Sequence, residues 1–177
     1  LPRTNSNTLP RTNSNTMVSF EANSVYTSAG SNAVENFVTL EKKNIDIDAG
    51  TLDIYMSNIP GCSYCEDPLY NTQTLCETNG NNTAGATWIK DPTLSESDCE
   101  SLSGNWFDGH VGGFQIQLIG IEVTDAYGGG AAAAGFIMQT LGTDVPSGIS
   151  KVLGFSMTGA TISPNELPVL LTTVEFT

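Results

Sequence analysis

The chain has 177 residues, only 14% of them charged, and a formal net charge of −13. That length suits one hydrophobic core and excludes two ordinary domains beside the low-complexity segment at its start. Scarce charge with abundant Gly, Ser, Thr and Asn points to an extracellular β-protein, secreted or held on a surface. The acidic body excludes nucleic acid and anionic membrane as expected partners, since both repel it.

Residues 1–16 are LPRTNSNT repeated in tandem. The octapeptide has no hydrophobic periodicity, and Pro2 and Pro10 bias it toward polyproline II, so it is expected to be an extended linker or tail. Thr4, Ser6, Thr8, Thr12, Ser14 and Thr16 are candidate O-glycan acceptors. Arg3 and Arg11 make this the one basic segment, against sums of −4 over 17–60, −7 over 61–109 and −4 over 110–177. At about 3.1 Å per residue it reaches roughly 50 Å, against an expected radius of gyration of about 15 Å for the body. It can therefore span a neighbouring copy. With the strand-like residues that follow, Val18 and Phe20 among them, it is the expected subunit contact of a helical homo-oligomer.

From Met17 the pattern turns to period two, broken by Gly, Asn, Ser and Pro, which predicts strands at 18–22, 24–27, 37–40, 44–48 and 51–58. Leu52, Ile54 and Met56 alternate with Asp53, Tyr55 and Ser57, giving one buried and one wet face. Asn44, Asp46 and Asp48 have the spacing of the first ligands of a calcium loop. Ala49 and Tyr55, however, stand where that loop needs its Gly and its bidentate Glu. A strand with an acidic wet face accounts for the pattern better, and Ca2+ in another geometry is the only cofactor kept in view.

All four cysteines, Cys62, Cys65, Cys76 and Cys99, fall within 61–109. Cys62 and Cys65 have the spacing of half a zinc ribbon, but the second close pair is missing, so two disulfides are the expectation. Cys62 and Cys65 are each expected to bridge to one of Cys76 and Cys99, in an order the spacing leaves open. The segment also carries a degenerate repeat. Asp67-Pro68, then Cys76, Gly80 and Trp88, is matched by Asp91-Pro92, then Cys99, Gly104 and Trp106. Each copy reads as a turn, a capped helical turn bearing the cysteine, a glycine stop and a tryptophan returning over the cystine. Asn81-Asn82-Thr83, between the copies, is an N-glycosylation sequon.

Beyond the insertion, strands are predicted at 113–118, 120–124, 135–140, 152–158 and 169–177, with a short helical turn in the Gly/Ala stretch after Gly128. The longest apolar run, Ala131 to Met138, is interrupted by Gly135 and too short for a membrane helix, so no membrane insertion is expected. His110, the only histidine, sits in Asp108-Gly109-His110 without the partners a nucleophilic triad needs. No enzymatic role is expected.

The strings TLDIYMSNIPG, VGGFQIQL, GGGAAAAGF, SKVLGFSMTGATIS and PVLLTTVEF follow one another in an order that resembles the cohesin and carbohydrate-binding-like sandwiches. The resemblance covers roughly 34–60 and 110–177 and implies an all-β fold, an antiparallel β-sandwich of cohesin-like jelly-roll type, whose domain is read as 17–60 and 110–177. The insertion at 61–109 departs from the family, so no ligand-contacting residue is carried over. The expected function is a structural subunit polymerising head to tail. The alternative is a recognition module for glycans, using aromatics among Tyr70, Trp88, Trp106, Phe107 and Tyr127.

Overall fold

The computed structural model describes residues 19–27, 37–144 and 148–177, with 19–27 and 143–144 as backbone alone. The octapeptide repeat, with its arginines and candidate O-glycan sites, lies outside the described residues, as does Val18. In chain order the elements are β1 (Ser19–Thr27), β2 (Val38–Asp46), β3 (Thr51–Asn58), β4 (Gly61–Cys65), α1 (Gln73–Thr83), β5 (Trp88–Asp91), α2 (Glu96–Ser101) and β6 (Asn105–Phe107). They continue with β7 (Val111–Ile119), β8 (Val123–Tyr127), α3 (Gly129–Ala133), β9 (Ile137–Asp144), β10 (Ile149–Phe155) and β11 (Asn165–Phe176).

The strands form two four-stranded antiparallel sheets, β1-β7-β10-β9 and β2-β3-β11-β8, and a small third sheet, β5-β4-β6. The alternation read from the sequence selects the inner faces. Leu52, Ile54 and Met56 from β3, and Phe114, Ile116 and Leu118 from β7, are fully buried with Val152, Leu171 and Val174 between the large sheets. Phe114 stacks on Phe136 at 6.3 Å between centroids. A Cβ on Gly154 of β10 would collide with the Phe114 ring, so the core requires glycine there.

Several strand limits differ from expectation. The segments predicted at 37–40 and 44–48 are one strand, β2, with an irregularity between Lys43 and Asp46 where Asn44 takes φ 50°. Residues 120–122 are not strand: Gly120 turns at φ 89°, and β8 begins at Val123. Beyond Gly120, buried Ser150 takes the Val123 N–H at 3.2 Å and donates to the Ile121 carbonyl at 3.0 Å, fixing where β8 starts. The strand predicted at 152–158 runs over 149–155 instead, and residues 156–160 form a turn around the Ser156 hydroxyl, which accepts from Thr158 and Ala160.

Candidate functional site

Two features stand outside ordinary sandwich construction: the strand at the edge of the first sheet, and the stapled insertion at one end.

Among the described residues β1 is an edge strand paired with β7 alone, in an antiparallel register that places Phe20 opposite Leu118, Glu21 opposite Gln117 and Ala22 opposite Ile116. The register shifts between Ala22 and Ser24 and again between Tyr26 and Thr27, the irregularities typical of an edge. β7 is deeply buried, with Val111, Phe114, Ile116 and Leu118 all at 0–1% exposure. Its outer edge cannot stand open, because an apolar strand with a bare row of N–H and C=O groups is a template for pairing. Between Thr27 and Phe37 run ten residue steps, a reach of up to about 33 Å, whereas packed sheets lie only about 10 Å apart. The connection is thus long enough to set β1 on this chain's β7 or on that of another copy.

In the insertion, β4 carries Cys62 and Cys65 three residues apart, hence on opposite faces of its sheet. Cys62 bridges to Cys99 of α2 and Cys65 to Cys76 of α1, with Cα–Cα distances of 5.5 and 5.7 Å. Both expected disulfides are present, the order of pairing is settled, and the thiolates a zinc site needs are consumed. The two halves of the repeat are built alike. Asp67 Oδ1 accepts from Leu69 N–H and Asp91 Oδ1 from Thr93 N–H. Thr72 caps α1 by accepting from Leu75 N–H, and Ser95 caps α2 by accepting from Asp98 N–H. In register, Trp88 of β5 lies opposite Cys65, and Trp106 of β6 lies opposite Cys62. Each tryptophan is therefore the cross-strand neighbour of a bridged cysteine. Gly104 is required for contact: a Cβ there would lie 2.7 Å from Cys62 Sγ and 2.9 Å from Cys99 Sγ. The three-stranded sheet was not foreseen, since Gly-Cys-Ser-Tyr-Cys shows no apolar alternation.

The insertion is rooted in the sandwich by a buried joint. Phe37 stacks on Phe107 at 6.2 Å, and Asn58, fully buried, donates through Nδ2 to the Gly109 carbonyl at 2.6 Å and the Ser163 carbonyl at 3.0 Å. Asn58 Oδ1 is the one buried side-chain polar atom among the described residues without a hydrogen-bond partner. Sequence reasoning missed Asn58. An Asn at the end of a strand ahead of Ile-Pro-Gly looks like ordinary turn chemistry.

The remaining candidates are dispersed. Asn81 is exposed at φ 49°, its N–H held by Asp67 Oδ2 at 2.9 Å and its side-chain amide donating to the Gly85 carbonyl at 3.3 Å. His110 meets Thr161 Oγ1 through Nδ1 at 3.1 Å, and its backbone N–H donates to Asp108 Oδ1 at 2.9 Å. Of the calcium candidates, Asp46 accepts from Ala49 N–H in the β2–β3 turn. Asp53 accepts from Asn44 at 2.9 Å and from Thr173 at 2.7 Å. Among the described residues no three His, Cys, Asp or Glu side chains converge as a metal site. Phe107, offered as a glycan-facing aromatic, is 5% exposed and belongs to the core, so it is withdrawn from that role. Tyr127 is 45% exposed on the wet face of the second sheet, far in the topology from both tryptophans. Its hydroxyl is held above the ordinary tyrosine range by its hydrogen bond to Glu175, then by desolvation and by the charges of Glu175, Asp125 and Asp53.

The fold and site define a disulfide-stapled antiparallel β-sandwich, and the disulfides are consistent with an oxidising, extracellular setting. No protein-family model matches the chain, and no curated protein or solved structure matches it significantly. Its function must therefore be argued from its own geometry.

Proposed function

We propose that the protein is a structural, non-enzymatic subunit of an extracellular filament or surface assembly, in which each copy's N-terminal segment covers β7 of the next. The observation that carries this reading is β1 itself: an edge strand, paired with one deeply buried strand and joined to the body by a connection long enough to exchange. Exchange of an identical element keeps every native pairing while moving it between copies, and a head-to-tail exchange whose rotation does not close grows a filament. The basic repeat preceding β1 supports the same arrangement, since Arg3 and Arg11 would lie against acidic bodies. Glycans on the repeat hydroxyls and on Asn81 would project from such an assembly. The finer affiliation to cohesin-like sandwiches belongs to this proposal too, and rests on TLDIYMSNIPG and VGGFQIQL falling on β3 and β7.

The register supplies the test. Glu21→Cys and Gln117→Cys place a cysteine pair at opposed positions of β1 and β7. Under assembling conditions, oxidation should give a ladder of cross-linked species on non-reducing gels, with peptide mapping to confirm the new bond. Cross-linked monomer alone, or full-length protein that stays monomeric at high concentration, defeats the proposal.

A further inference from the structure

Among the described residues the two large sheets end on four edge strands: β1 and β9 on the first, β2 and β8 on the second. An edge presents a row of backbone N–H and C=O groups that is a template for pairing unless something blunts it. β2 carries Glu41, Lys42, Lys43 and Asp46 and is irregular between Lys43 and Asp46. β8 is only five residues long and carries Asp125. β1 shifts register twice along β7. β9 has none of these devices over 137–141. That stretch contains no charge and no proline, and it makes consecutive pairs with β10, from Ile137 opposite Phe155 to Leu141 opposite Lys151, before the register shifts. Ile137 and Leu141 are 44% and 51% exposed, and Gln139 between them is exposed too. β8, which precedes β9 in the chain, forms its ladder with β11, so among the described residues β10 is the only strand paired with β9.

From this we infer that the free edge of β9 is a pairing site for β9 of a second copy, antiparallel and centred on Gln139. The strand's own sequence selects the occupant. A two-fold axis through Gln139 sets Ile137 of each copy opposite Leu141 of the other, apolar against apolar on the outer face. Gln139 then meets Gln139, and an amide both donates and accepts. Charge does not oppose this register. Asp144, the one acid of β9, lies five residues from the centre, so its two copies are ten residue steps or about 33 Å apart. Glu21 is on β1, at the far edge of the same sheet, so its two copies are seven strand spacings or about 34 Å apart. Both separations are several times the Debye length of about 8 Å at physiological salt. The opposed stretch 137–141 is as long as an ordinary strand, and the product is one continuous sheet of eight strands. The contact is carried by backbone hydrogen bonds and two apolar pairs, not by area. A two-fold pairing uses the same edge on both copies and so stops at two. It does not depend on exchange of β1, and between filaments grown by that exchange it acts as a lateral tie.

The test uses the full, oxidised chain in three single variants at exposed positions: Ile137→Cys, Gln139→Cys and Leu141→Cys. Directly opposed positions of an antiparallel pair are close enough for a disulfide. Mild oxidation of Gln139→Cys alone should therefore give a dimer. Equal parts of Ile137→Cys and Leu141→Cys should give a mixed dimer at several-fold the yield of dimer from either alone, because the register opposes 137 to 141 and not to itself. Peptide mapping identifies each bond. The unaltered chain supplies a measurement that no substitution can spoil. Hydrogen exchange of the β9 amides should slow several-fold as the protein is concentrated, while that of the β2 and β8 amides keeps its rate. The inference is overturned by equal dimer yields from every combination of the three variants. It is overturned equally by β9 exchange rates that do not change with concentration, which would leave that edge to a different chain. Protection gained on β1 and β7 but not on β9 would favour strand exchange and count against this pairing. The ladder test of β1 exchange reads a different bond, so either idea can fail alone.

Discussion

Between Cys62 and Asn105 the only buried residues are the four cysteines and Gly80. The insertion thus has cystines in place of an apolar core, and breaking them should unfold it without unfolding the sandwich. The Cys65–Cys76 loop, with a sequence separation of 11, is nested inside the Cys62–Cys99 loop, with a separation of 37. The chain-entropy relation assigns about 2.8 kcal/mol to the inner bridge, and about 3.5 kcal/mol to the outer once the inner has shortened its loop. Together, about 6 kcal/mol corresponds to roughly four orders of magnitude in the opening equilibrium. Hydrogen exchange read by mass spectrometry, before and after reduction, checks this. Amides of β4, β5, β6, α1 and α2 should lose protection while those of β3, β7, β10 and β11 keep theirs. Cys62→Ser with Cys99→Ser should cost more than Cys65→Ser with Cys76→Ser. Persistent protection in the reduced insertion, simultaneous opening of the sandwich, or the reverse order of the pairs would refute the reasoning.

Asn58→Ala removes both hydrogen bonds at the root of the insertion and leaves two carbonyls and a cavity in a dry joint. Denaturant unfolding should show a loss of about 2–4 kcal/mol. Gly104→Ala forces a methyl onto the Cys62–Cys99 bridge, so thiol titration of the purified variant should find free cysteine that the parent lacks. Gly142→Ala, which meets nothing within 4 Å, should stay within about 0.5 kcal/mol of the parent. In an ultraviolet titration Tyr127 should ionise above the ordinary tyrosine range; Glu175→Gln should bring it down, and Tyr127→Phe should remove that phase.

Where one face is buried and one is wet, alternation alone locates the strand. β3 lies at the limits read from the sequence, and Leu52, Ile54 and Met56 point inward as their spacing requires. The reading weakened where alternation was masked. On β10, Ile149, Leu153 and Phe155 sit on the outer face and Ser150 and Gly154 on the inner one, so apolarity misreported depth and shifted the strand's limits. The cystine pairing followed from clustering only to the point of excluding one partner; the order depended on β4 turning Cys62 and Cys65 to opposite faces. Asn58 left no trace in the sequence, because its partners Gly109 and Ser163 are 51 and 105 residues away and offer only backbone carbonyls.

β7 is where folding and assembly meet. Its inner face supplies Phe114, Ile116 and Leu118 to the core, one edge pairs with β10, and the other pairs with β1. Leaving that last edge bare costs a row of backbone hydrogen bonds beside an apolar strand, so a folded copy needs a strand there from some chain. If the strand comes from within, the copy is complete alone; if it comes from a neighbour, stability depends on protein concentration by mass action. The melting temperature then separates the two cases without any substitution. Exchange requires it to rise as the protein is concentrated through the range in which filaments appear. A melting temperature that stays constant across that range means that β1 remains on its own chain and the copies are joined by other surfaces.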